Sequence, residues 1–182
     1  MKYLVKPVLV LSAIGLLLSV LAHITALLGI DLHLGDSVFV LHGGVFLVWL
    51  PTVLLASKMG RGGRISGWSP GGRGFWKQAL SGCPAWMRYT AFGLFGYAML
   101  NFFLVARGVA DGANDASMDP AVIRGFSGHW MVFYYLAFAI TYSVFKKPEL
   151  LGPAVCSLGH KNWPGDKFCP ECGNPIVVRV RK

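Results

Sequence analysis

Four long apolar stretches alternate with loops rich in glycine, proline and charge. They span residues 7–30, 37–56, 88–106 and 127–145, and no Asp or Glu falls inside any of them. A helix needs about 20 apolar residues to cross a hydrocarbon core about 30 Å thick, so each stretch predicts a transmembrane helix. Arg88 sits at a boundary, where a long side chain reaches the headgroups. Pro51 removes one helical hydrogen bond and predicts a kink in the second span. Lys2 and Lys6 before the first span resemble the charged start of a secretory signal. Its apolar run is about twice the usual length and lacks a small-x-small cleavage site, which predicts a retained helix. The pattern thus predicts an all-α membrane protein: a four-transmembrane-helix bundle over residues 1–147, then a separate tail over 148–182.

Composition agrees. With 54% hydrophobic residues and a mean hydropathy of +0.55, the 182-residue chain is too apolar for an ordinary soluble domain. Charge supplies an orientation. All but two of the 17 basic residues fall on one side of the expected spans, Arg107 and Arg124 being the two on the other. By the positive-inside rule the basic side is cytoplasmic, which puts both termini inside a cell inner membrane. The outer side carries five of the eight acids: Asp31, Asp36, Asp111, Asp115 and Asp119. Because the basic charge is spread over three segments, contact with anionic lipid explains it better than nucleic-acid binding.

The loops narrow the chemistry further. The inner loop, 57–87, mixes Gly, Arg and Trp, and its glycines oppose a helix before about residue 74. Its Gly-Arg-Gly-Gly-Arg run lacks the Gly-Lys-Ser/Thr ending of a phosphate-binding loop. The acidic outer loop lacks the spacing of a calcium-binding EF-hand. Residues 120–124 predict a short turn of helix on the membrane surface. Cys83 stands alone before Pro84 and reads as an inert interfacial thiol.

The tail carries Cys156-Ser-Leu-Gly-His160 and, eight residues on, Cys169-Pro-Glu-Cys172-Gly. Cys-x3-His and Cys-x2-Cys are two short hooks, each able to turn both its ligands toward one point. That is the requirement of a tetrahedral Zn²⁺ site. On the cytoplasmic side these thiols stay reduced and available to metal. The segment resembles the zinc-ribbon family over about residues 154–176, with His160 in place of the usual second cysteine of the first knuckle. Gly173 suits the positive φ that follows a metal knuckle. The resemblance implies four protein ligands, Cys156, His160, Cys169 and Cys172, around a structural zinc, and it implies no reaction. The short separation suggests a minimal ribbon with one small hairpin, and residues 177–182 alternate apolar and basic side chains as a last strand would.

Inside the expected spans lie His23, His42, Asn101 and His129, one to each helix, all roughly 6–10 Å below the outer boundary at 1.5 Å per residue. Polar groups in lipid turn inward to partners or to a wet cavity. Ser12, Ser19 and His23 form one inward stripe, and Thr90, Tyr97 and Asn101 another. A hydrogen-bonded cluster that fixes helix register is the default reading. Next comes haem b held between His42 and His129, then a second metal on the three histidines, then a quinone. The preferred function is non-enzymatic: an accessory protein of the lipid bilayer whose zinc ribbon docks a protein partner. A small haem- or metal-binding redox protein is the rival, and a transporter or channel subunit the third reading. The last is weakened because no carboxylate lies within the spans.

Overall fold

The computed structural model describes residues 2–30, 38–61, 73–110, 120–151, 154–162 and 168–177. Residues 62–72 of the inner loop, the five acids of the outer side and the last five residues lie outside them. Four long helices dominate: α1 (Lys2–Leu27), α2 (Val38–Arg61), α4 (Ala85–Ala110) and α5 (Pro120–Lys146), with a short α3 (Arg73–Ala79) between α2 and α4. The expected spans 88–106 and 127–145 lie within α4 and α5. By contrast, α1 stops at Leu27, three residues short of the expected end of the first span, and α2 is described from Val38 and continues to Arg61, past the expected end of the second. The short turn expected over 120–124 is instead the start of α5. Pro120 occupies its first position, where a missing N–H costs nothing. α2 continues through Pro51, and α3 begins where the glycine-rich sequence gives out.

Three helices are long and apolar enough to cross a membrane, over Tyr3–Leu27, Val40–Met59 and Ala85–Arg107. Only 28%, 33% and 17% of their most apolar stretches are buried in the protein, so most of that surface faces outward. Leu17, Leu47, Phe92, Phe95 and Phe103 are among the exposed side chains. A water-soluble chain does not leave an apolar face of that extent uncovered.

α5 is built differently. It is the longest helix, at 27 residues, yet it carries His129, Trp130, Tyr134, Tyr135, Thr141 and Ser143 along its length. It packs against α1, α2 and α4 alike and so forms the axis of the bundle. Among its described residues only Phe126 and Phe145, near its ends, are large apolar side chains left exposed. Its polar and aromatic groups find protein partners, which is why its sequence is less apolar than its neighbours'.

Glycine makes the closest of these contacts. Tyr134 is a wedge between α1 and α2. A Cβ on Gly15 would lie 2.1 Å from its ring, and one on Gly44 would lie 2.3 Å from its hydroxyl oxygen. The hydroxyl donates to the Leu41 carbonyl at 2.8 Å. The space left by Gly15 and Gly44 is therefore filled by a phenol ring of α5. Trp130, Val48, Val45 and Val8 complete this part of the core.

At the other end, the α3–α4 corner is tied to the end of α5. Gln78 Nε2 donates to the Met59 carbonyl at 3.0 Å, and the Gly82 amide donates to Ser143 Oγ at 2.8 Å. Lys147 Nζ donates to the Ser81 carbonyl at 2.9 Å. Cys83 is buried there, its thiol donating to the Ala139 carbonyl at 3.1 Å. Burial pushes that thiol up to about 11, with Arg88 pulling partly back, so at neutral pH it is protonated and inert. A 3-10 turn, Pro148–Leu151, buries Leu150 against α2 and α5 and leads into the tail.

Candidate metal centre

The tail folds as a three-stranded antiparallel sheet of order β2-β1-β3, from β1 (Ala154–Cys156), β2 (Lys161–Asn162) and β3 (Ile176–Val177). Strands of two or three residues do not hold a sheet together alone. The two loops between them are built alike. In the first, the Gly159 amide donates to the Cys156 carbonyl at 3.0 Å and the Cys156 amide to the His160 carbonyl at 3.1 Å. In the second, the Gly173 amide donates to the Cys169 carbonyl at 2.8 Å and the Cys169 amide to the Asn174 carbonyl at 2.8 Å. Each closes on a left-handed glycine, Gly159 at φ 83° and Gly173 at φ 70°. A side chain would strain that backbone. The expected role of Gly173 is therefore observed, and Gly159 repeats it. The single expected hairpin is exceeded, because β3 pairs with the free edge of β1 through Val155–Val177 and Cys156–Ile176.

These loops bring Cys156, His160, Cys169 and Cys172 together, with one ligand atom of each within 4.8 Å of all the others. The Cys156 and Cys172 sulfurs are 3.7 Å apart, and Cys169 Sγ is 3.6 Å from His160 Nδ1. A disulfide would need about 2.05 Å. A tetrahedron with Zn–S of about 2.3 Å and Zn–N of about 2.0–2.1 Å has S···S edges of about 3.8 Å and S···N edges of about 3.6 Å. The Cys156–Cys172 and Cys169–His160 separations thus match two edges of such a tetrahedron, and the set can hold a metal ion such as zinc.

The local electrostatics favour a cation. Burial pushes the Cys156 thiol up, but the Leu158 and His160 amides favour its thiolate and bring it below the ordinary range. Burial acts likewise on Cys169, and the Glu171 and Cys172 amides outweigh it. Cys172 moves the other way. The Asn174 amide favours its thiolate, but burial and the neighbouring Cys169 and Cys156 sulfurs raise it. Three sulfurs at one point cannot all carry charge unless a cation sits among them. Among the described residues this is the one group of three or more His, Cys, Asp and Glu side chains placed to share a metal ion.

The intramembrane set divides. His23 is held between two hydroxyls, Ser127 Oγ at 2.8 Å from Nδ1 and the Tyr97 hydroxyl at 2.5 Å from Nε2. Asn101 pairs with Arg124 through both its amide atoms: its Nδ2 donates to the Arg124 carbonyl at 2.8 Å, and Arg124 Nε donates to its Oδ1 at 2.9 Å. Ser127 Oγ also lies 3.2 Å from that same carbonyl, so α1, α4 and α5 share one polar cluster. Arg124, expected in the outer loop between the third and fourth spans, belongs to this cluster within α5. Ser12 and Ser19 face inward as expected, each donating to a carbonyl of its own helix, whereas Thr90 is exposed.

His42 and His129 lie elsewhere. Trp130 Nε1 donates to His42 Nδ1 at 3.1 Å, among Phe46 and Phe126. His129 Nδ1 donates to the Gly125 carbonyl at 3.0 Å, its ring edge-on to Phe102 of α4. The tautomers follow. A neutral His42 carries its proton on Nε2, whereas His129 keeps a lone pair there. Both His23 nitrogens are engaged, so a two-imidazole haem site would require one of these hydrogen bonds to be broken. Arg124 and Ser127 are the members the sequence reading missed. Their only signal was i, i+3 spacing at the start of an apolar run, a weak one. No known protein family, curated protein or solved structure matches the chain.

Proposed function

We propose that this protein is a four-span integral protein of the cell inner membrane with both termini cytoplasmic. Its C-terminal tail is then a structural zinc ribbon that presents a docking surface to a protein partner. The convergence of four ligand atoms to within 4.8 Å of one another carries this reading. All four corners are protein side chains, which leaves no position for a reacting water and makes the metal structural. The fourth span is α5, whose burial among the other three removes the need for a lipid-facing apolar surface. The asymmetry of basic residues supplies the orientation. The polar cluster of His23, Asn101, Tyr97, Arg124 and Ser127 fixes the register of α1 and α4 on α5.

Metal analysis of the purified protein under reducing conditions tests the tail, and one zinc per chain is expected. Reporter fusions after Lys182 and within 111–119 test the topology and should report opposite compartments. A metal-free tail, or a tail outside the cytoplasm, would overturn the reading. An absorbance spectrum with a Soret band would replace it with the haem-protein alternative.

A further inference from the structure

Two apolar clefts, each of about 230 Å³, flank α3 and share Trp76. One lies toward α2, against Trp49, Val53 and Ile140. The other lies toward α4, lined by Trp76, Leu80, Ala91, Phe92, Phe95 and Leu136. The second has a distinct polar end. Arg88 is exposed one turn before Ala91 and Phe92, on the same face of α4. The exposed Lys147 holds its ammonium on the Ser81 carbonyl, next in sequence to Leu80 of the lining. Two cationic residues thus neighbour the lining of a predominantly apolar slot, Arg88 one turn before it on α4 and Lys147 through Ser81. From Ala91 to Phe95 the slot follows α4 for about 6 Å, at 1.5 Å per residue, with Arg88 one turn before its start.

We infer that the α3–α4–α5 cleft is a binding site for one anionic phospholipid. An acyl chain lies along Ala91, Phe92 and Phe95, and its phosphate is held at Arg88 and Lys147. Charge complementarity singles out the occupant. A zwitterionic lipid brings an ammonium that two cations repel, and a protein segment would have to end in an acidic group at that mouth. The site lies on the basic side of the bundle, where the inner leaflet supplies anionic headgroups. Lys147 also ties the corner to the end of α5, so an occupied site draws α3, α4 and the start of the tail together. The inference rests on the membrane reading above.

The test uses the full chain in nanodiscs of equal phosphatidylglycerol and phosphatidylcholine with identical acyl chains. Alkaline carbonate extraction of the source membranes comes first. Release of the chain there would overturn the membrane reading and the lipid site with it. For a chain that stays embedded, native mass spectrometry counts the lipids kept after release. At least one phosphatidylglycerol per chain is expected, kept in clear preference to phosphatidylcholine. The double variant R88Q/K147Q changes two exposed side chains, and a melting curve checks that it folds. It should lose that preference by about tenfold or more. The fluorescence difference between wild type and Trp76→Phe, measured with brominated phosphatidylglycerol, should show strong quenching that the double variant lacks. Equal retention of the two lipids by wild type, or a preference unchanged in R88Q/K147Q, would overturn the lipid site and leave the membrane reading standing.

Discussion

The bundle and the tail solve the same problem with opposite means. In the bundle each helix satisfies its own backbone, and specificity comes from side chains that meet across more than a hundred residues of sequence, as His23 and Ser127 do. In the tail, three strands of at most three residues leave almost no core, and four ligand atoms from a 17-residue stretch provide the fixed point. Removing any one bundle contact leaves helices standing. With a metal bound at those four atoms, as proposed, removing one ligand takes away the interaction that folds the tail.

The sharpest way to break this comparison is to remove the metal. Cys169→Ser or Cys172→Ser should lose bound zinc and render the tail protease-sensitive, while far-ultraviolet circular dichroism of the helices stays unchanged. Binding free energies of structural zinc in small domains are about 10–16 kcal/mol, far more than the tail's own contacts supply. A tail equally resistant to protease with and without zinc would show that it folds as the bundle does.

What was legible in the sequence divides along the same line. The ligands of the tail were readable because the chemistry is local: spacing within each hook fixes which side chains converge, and Gly173 marks the turn. The helices were readable from apolar run length. Their partners were not, because 3.6-residue periodicity says which face turns inward and nothing about what meets it. His42 and His129 share a depth, yet one sits with Trp130 and the other on its own helix against Phe102. Arg124 was assigned to an outer loop by its place between two expected spans, although its partner Asn101 was itself noted as an intramembrane polar residue. The special place of α5 was hidden for a related reason, since burial by protein and burial by lipid leave similar apolar runs.

Within the bundle the wedge of Tyr134 should give the next largest effect. Gly15→Ala drives a methyl group into a rigid ring and is expected to cost about 1–3 kcal/mol, seen as a lower melting temperature in detergent. Gly43→Ala meets nothing within 4 Å and should be neutral or stabilising, by up to about 1 kcal/mol. Similar losses at the two glycines would mean that helix packing does not distinguish them.

The histidines sharpen the contrast further. His23→Ala leaves the Tyr97 and Ser127 hydroxyls short of a partner and should cost about 1–3 kcal/mol. His129→Ala gives up one bond to its own helix, at about 1 kcal/mol or less. A double-mutant cycle of His23 with Ser127 should show coupling that a cycle of His129 with Ser127 does not.

The smallest effect concerns thiol chemistry. At pH 8 a maleimide should label the cysteines of the zinc-free tail quickly and leave Cys83 unreacted until the bundle is denatured. Its folded-state pKa of about 11 stands above the ordinary 9.0. The stability that this thiol contributes is therefore complete below pH 9 and declines as pH rises through 11. Rapid labelling in the folded protein would show that the α3–α4 corner opens readily.

The axial position of α5 also has a consequence in time. Ribosomes deliver about 5–20 residues per second, so α1 is in place some 5–20 seconds before the helix it is built to touch has been made. If α1 enters the membrane first, as the proposed function requires, its inward stripe passes that interval facing lipid. Ser12 and Ser19 need no partner then, because each hydroxyl already donates to a carbonyl four residues back in its own helix. His23 has no such provision. It waits for Tyr97 and then for Ser127, so the last bond of the bundle's polar cluster closes only after the final helix arrives.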